Sequence, residues 1–179
     1  MCGISGFISR SPESGLDEAL AAIRHRGPDA TGQWRGTVCG WQVGLGHVRL
    51  SILDLTEAAN QPFVSDDGMC VLVYNGEIYN FAALRAELLT AGHAFRTHSD
   101  TEVLLHAYRQ WGTDCLGRLE GMFAFVLLDR ESDRMLLARD PLGIKPLYYA
   151  PDPDGGRLLF GSETRALEAL LGRPLTPDP

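Results

Sequence analysis

The chain has 179 residues, 45% hydrophobic and 22% charged, enough to bury a sizeable core in one domain. A net charge of -7, with no run of lysine or arginine, argues against a nucleic-acid or anionic-membrane partner and favours small molecules. Cys2, Cys39, Cys70 and Cys115 are too widely spaced for a disulfide scaffold or a CxxC pair and are expected as reduced thiols in a cytoplasm.

The opening stretch, MCGISGFISRSPESG, lacks the basic and long apolar regions of a signal peptide, and no later run reaches the roughly 20 apolar residues that span a bilayer. Its apolar part predicts a strand over 2–9. Leu16, Leu20 and Ile23 then share a helical face over 15–26, closed by Gly27 and Pro28. A strand follows over 41–48 and another over 69–74. Asn80 is expected to cap a helix carrying Phe81, Leu84 and Leu88 before Gly92. Ser99 and Glu102 form a capping box ahead of Val103, Leu104, Ala107, Tyr108 and Trp111, ending at Gly112. Strands are predicted over 122–129, 134–140, 147–150 and 157–160, the later ones in hairpins joined by RESD and PDPDGG, which favours antiparallel sheet. The expected division is one domain over 1–170 and a proline-rich tail or linker over 171–179, without internal repeats.

Cys2 raises the chemical question. If Met1 is removed, Cys2 carries a thiol and a free α-amine, a nucleophile with its own base. The alternative is an ordinary small apolar residue in a strand. Three other stretches bear on the choice. In YNGEIYN, Asn75-Gly76 predicts a tight bend, which either merely leads into the following helix or also aims the Asn75 amide and the Gly76 N–H at a developing oxyanion. In GHVRLSILDL, Arg49 stands in an apolar stretch, either reaching solvent or gripping an α-carboxylate with its planar fork. In HSDTE, Asp100 is either a favourable first-turn acid or joins Glu77 around a substrate ammonium. His25, His47, His93, His98 and His106 show no metal-ligand spacing, so no metal is expected.

Taken together, MCGISGF, RHRGPDATG, GLGHVRLSILDL, NQPF, YNGEIYNF, SDTEVLLHAY, GMFAFVLLD, RDPLGIKPLYY and FGSE resemble the class II glutamine amidotransferase domain, an N-terminal-nucleophile hydrolase. HRGPD, RLSILDL and NGEIYN look like the glutaminase domain of the asparagine synthetase group. The resemblance implies an α+β fold, a four-layer αββα sandwich of two antiparallel sheets. It implies that Cys2 attacks the glutamine side-chain amide through a thioester, with Asn75 and Gly76 as the oxyanion hole. Arg49 would hold the α-carboxylate and Glu77 and Asp100 the α-ammonium. Backbone of Leu50, Ser51, Ile52 and Leu53 would line the pocket, and His25, Arg26 and Asp29 would support it. No cofactor is implied for this step. ATP and magnesium would belong to a synthetase domain whose SGGxDS-type loop has no match in this sequence. The expected partners are glutamine and an ATP-dependent synthetase domain or subunit, with the ammonia acceptor open. A non-catalytic glutamine- or partner-binding module of the same fold is the rival expectation.

Overall fold

The computed structural model describes residues 1–52, 54–151 and 156–176. Strand β1 (Gly3–Ser9) is followed by helix α1 (Leu16–Ala22) and a 3-10 turn, Arg24–Arg26. β2 (Ala30–Val38) and β3 (Trp41–Arg49) make one hairpin, and β4 (Phe63–Val64) and β5 (Cys70–Ile78) another. Then come α2 (Phe81–Thr90), α3 (Asp100–Trp111), β6 (Gly121–Asp129), β7 (Arg134–Arg139), β8 (Tyr148–Pro151), β9 (Arg157–Gly161) and α4 (Thr164–Leu171).

The strands form two sheets, ordered β2-β3-β1-β9-β8 and β4-β5-β6-β7, with antiparallel pairing throughout. Side chains of a strand alternate between its faces, and here both faces are covered. In β5 and β6, Leu72, Tyr74, Phe125 and Leu127 pack with Leu84, Leu88, Leu104 and Leu105 of α2 and α3. The alternate set, Val71, Val73, Val126 and Leu128, meets Ile4, Val43, Leu45 and Phe160 of the other sheet. On that sheet's far side, Phe7, Val48 and Leu159 pack with Leu16, Leu20, Leu167 and Leu170 of α1 and α4. The result is the expected four-layer αββα sandwich. Two-sided burial also explains why its central strands read as nearly unbroken apolar runs.

Local expectations fare unevenly. The Ser99 cap forms, its hydroxyl accepting from the Glu102 N–H, but the Glu102 carboxylate turns to the Thr97 N–H and hydroxyl (2.7 and 2.6 Å) instead of closing the box. The helix over 15–26 stops at Ala22 and finishes as a 3-10 turn. Asn75-Gly76 is no turn: β5 runs through it, opposite Ala124 and Phe123 of β6. Glycine is needed there because a Cβ would lie 2.5 Å from the Met122 carbonyl oxygen and 2.8 Å from the Phe123 Cα. Asn80 precedes α2 but its side chain caps nothing, bonding instead to the Arg118 carbonyl and the Glu120 N–H.

Three elements were not expected: β2, the two-residue β4 and α4. β2 is an edge strand with no fully buried residue, and α4 buries Ala166, Leu167 and Leu170. Of the expected tail, Leu171 belongs to α4, 172–176 carry no helix or strand, and 177–179 lie outside the described residues. So does the 152–155 part of PDPDGG. Among the described residues, no helix is long and apolar enough to cross a membrane.

Candidate active site

The start of β1, the ends of β3 and β5, the first turn of α3 and the segment entering β8 converge on one cavity of about 410 Å³. That volume suits a small molecule. Cys2, Arg49, Leu50, Ile52, Asn75, Gly76, Glu77 and Asp100, all named from the sequence, line it. Ser51 does not: its N–H donates to Asp29 Oδ2 at 2.8 Å, behind the wall. Leu53, also expected there, lies outside the described residues.

Cys2 sits in a fixed frame. The Leu50 N–H donates to its sulfur at 3.4 Å, and the thiol faces the Leu50 carbonyl at 3.6 Å. Burial pushes this thiol above its ordinary value. Arg26 Nε donates to the Cys2 carbonyl at 2.9 Å, while its Nη1 pairs with Glu163 at 3.0 Å, and His25 Nε2 reaches the same Glu163 oxygen. Burial raises the Glu163 carboxyl, but the bonds from Arg26 and His25 outweigh it and hold the group below its usual range. Ser162, next in chain, exchanges bonds with Ile4 through its hydroxyl and its N–H. His25, Arg26 and Asp29 therefore stand behind the cavity as supports of Cys2 and of the 49–51 backbone.

Arg49 is tied to its own loop. Nη1 donates to the Thr56 carbonyl (2.9 Å) and Asn60 Oδ1 (2.7 Å), and Nη2 to the Asp54 carbonyl. A guanidinium carries five donors, so Nε and one Nη2 hydrogen are left over. All three acceptors are neutral. Asp54 in turn accepts from the Thr56 hydroxyl and N–H and from the His98 N–H, which holds its carboxyl at about 2.

Asp100 joins α3 to β5, accepting from the Tyr74 hydroxyl at 2.6 Å and the Ile78 N–H at 3.1 Å. Burial raises its carboxyl despite those bonds. Asn75 is 2% exposed, and its Nδ2 has no hydrogen-bond partner among the described residues. A buried amide donor left without an acceptor is costly, and Asn75 lines the cavity, where a ligand can supply one.

Sequence reasoning passed over several neighbours. Gln61 fixes β5 to α3, accepting from the Tyr74 N–H (2.6 Å) and donating to Thr101 (3.3 Å). Lys145 lines the cavity with Met122 and Ile144, and its ammonium donates to the Met1 thioether sulfur at 3.1 Å. Both fall inside stretches that carry the resemblance, NQPF and RDPLGIKPLYY, but nothing in their residue type marks them out there. Of the other cysteines, burial pushes Cys70 and Cys115 up to about 11, and Cys39 is exposed; none lines this cavity. Among the described residues, no three His, Cys, Asp or Glu gather as metal ligands would.

Residues 1–178 match the family of the glutamine amidotransferase domain. The chain is 38% identical, over 94% of its length, to a glutamine-hydrolyzing asparagine synthetase of Bacillus subtilis, of which it covers 28%. It is 40% identical over its whole length to the asparagine synthetase of Zea mays, covering 30% of that protein. It is also 40% identical, over 94% of its length, to Amidase chry2 of Gibberella zeae, covering 26%. The chain thus spans under a third of these curated relatives. Among solved structures it resembles the glutamine phosphoribosylpyrophosphate amidotransferase of B. subtilis, with a TM-score of 0.76 and 26% identity over 94% of this chain and 43% of that one. Matched family, shared αββα sandwich and a Cys at position 2 agree, and the chain belongs to the glutamine amidotransferase domain family.

Proposed function

We infer that the chain, after loss of Met1, hydrolyses the side-chain amide of glutamine. The observation that carries this is the partnerless Asn75 amide sharing one cavity with the Cys2 thiol. Glutamine is a small zwitterion, and Arg49 offers its two spare donors to the α-carboxylate while Glu77 and Asp100 face the α-ammonium.

The Cys2 α-amine takes the thiol proton as sulfur attacks the amide carbon. The carbonyl π pair moves onto oxygen, and that oxyanion is received by Asn75 Nδ2–H and the Gly76 N–H. As the tetrahedral adduct collapses, the C–N bond breaks, the protonated amine gives its proton to the leaving nitrogen, and ammonia departs from a thioester. Water, deprotonated by the same amine, then attacks the thioester and releases glutamate and the thiol. No cofactor takes part in these steps.

The family names of the relatives supply the second half of the reading. The ammonia serves an asparagine-synthetase-like amidation of aspartate, run by an ATP- and magnesium-dependent domain or subunit outside this sequence. Intact mass before and after 6-diazo-5-oxo-L-norleucine tests the glutaminase assignment, together with glutamate release. A single adduct on Cys2 of a chain lacking Met1, and no glutamate from Cys2→Ala, are expected. A processed chain left unlabelled at Cys2 would sink the assignment.

A further inference from the structure

Lys145 is 4% exposed, yet among the described residues no carboxylate lies within ion-pair distance of its ammonium. Among the described residues, its one side-chain bond is to the Met1 sulfur. Burying an ammonium against a thioether is expensive, since sulfur is a weak acceptor and carries no charge. The placement is nevertheless built. Asp140 accepts from the N–H groups of Phe123 (3.2 Å), Ile144 (2.9 Å) and Lys145 (3.0 Å), and Gly143, at φ 65°, donates to the Asp140 carbonyl. This turn delivers Lys145 to the cavity wall beside Cys2, Asn75 and Gly76.

We propose that Lys145 is a positioning residue of the glutaminase site: with Met1 gone, its ammonium faces the new α-amine of Cys2 and keeps that amine unprotonated, ready to take the thiol proton. Met1 Sδ is a few covalent bonds from the Cys2 nitrogen, so Nζ lies no more than roughly 9 Å from it. At an effective dielectric of about 20, one positive charge at that distance lowers an amine's affinity for a proton by about one pH unit. The same charge favours the thiolate, so both effects have one sign. The other charged or titratable groups around Cys2 are Arg26 from the 3-10 turn, Arg49 at the end of β3, Asp54 in the segment after it, Tyr74 and Glu77 on β5, Asp100 on α3, and Glu163 behind Arg26. Asp54, Glu77 and Asp100 act against Lys145, and Arg49 acts with it. Lys145 is set apart by its contact with the residue whose removal creates the amine.

The inference rests on the reading of Cys2 as an N-terminal nucleophile, and its test does not need glutamine turnover. The chain beginning at Cys2 is treated with iodoacetamide from pH 5 to 9, and the rate of Cys2 modification is followed by mass, with peptide mapping to separate the exposed Cys39. In Lys145→Met the inflection should rise by about one pH unit, with modification about tenfold slower below it. Lys145→Gln gives a second neutral replacement with the same expected rise, and Lys145→Arg should restore the original inflection. An inflection unmoved in both neutral variants, or moved as far in Lys145→Arg, overturns the proposal. A parent chain that is modified normally but releases no glutamate would instead defeat the glutaminase assignment.

Discussion

Arg49 and Asn75 face the same cavity under opposite conditions. Arg49 has its fork filled on one side by Thr56, Asp54 and Asn60, so the guanidinium shapes its loop whether or not a ligand is present. Asn75 contributes nothing comparable through Nδ2, which has no partner among the described residues. One residue is organised beforehand, and the other waits. Removal of Arg49 should therefore damage structure and binding together, whereas removal of the Asn75 amide should touch the reaction alone.

The sharpest way to break this contrast is Asn75→Ala. Losing one oxyanion donor costs about 10²- to 10³-fold in kcat, and the fall should come with an unchanged KM and an undiminished melting temperature. A drop in stability instead would mean that the amide is structural. Arg49→Ala comes next. Loss of a charge-assisted pair, about 1.5 to 3 kcal/mol, should weaken glutamine binding by about 10- to 150-fold. Calorimetric titration of the Cys2→Ala background measures it, and limited proteolysis should show faster cleavage within 54–60. Unchanged affinity with a loosened loop would confine Arg49 to its structural half.

His47 sharpens the contrast from the core. Its Nε2 meets the Tyr74 carbonyl at 3.1 Å between the two sheets, and Nδ1, like Asn75 Nδ2, has no partner among the described residues. Burial drives it down to about 3, so it is neutral in the folded chain. On unfolding it regains an ordinary value near 6.5. The unfolded chain therefore binds the extra proton between pH 6.5 and 3, and stability is full above 6.5 and falls as pH drops through that window. The slope is at most about 1.4 kcal/mol per unit. Urea midpoints between pH 6.5 and 5 should show it, and His47→Asn should flatten it.

How much was legible beforehand depended on how far each residue's partner lies along the chain. The α3 cap was readable because Ser99 and Glu102 are three residues apart. Asn75-Gly76 was misread as a turn because what requires glycine is Met122, on a strand that arrives 46 residues later. The Asn80 side chain was lost likewise, to Arg118 and Glu120. β2 lacks the buried face that marks a strand, whereas α4 did show its spacing in Ala166, Leu167 and Leu170. For the site, each residue type suggested a role, but only the resemblance gathered positions 2, 49, 75 and 100. Lys145 escaped both routes, since its meaning lies in contact with Met1.

The place of β1 has a practical side. It is the middle strand of its sheet, held between β3 and β9, and it begins one residue after Cys2. Anything attached ahead of Cys2 must leave across the cavity mouth, where Met1 already lies. An affinity tag at that end would plug the binding site and mask the amine in a peptide bond. A fusion after α4, on an outer layer, leaves the cavity open, and purification or immobilisation of this domain should be designed from that end.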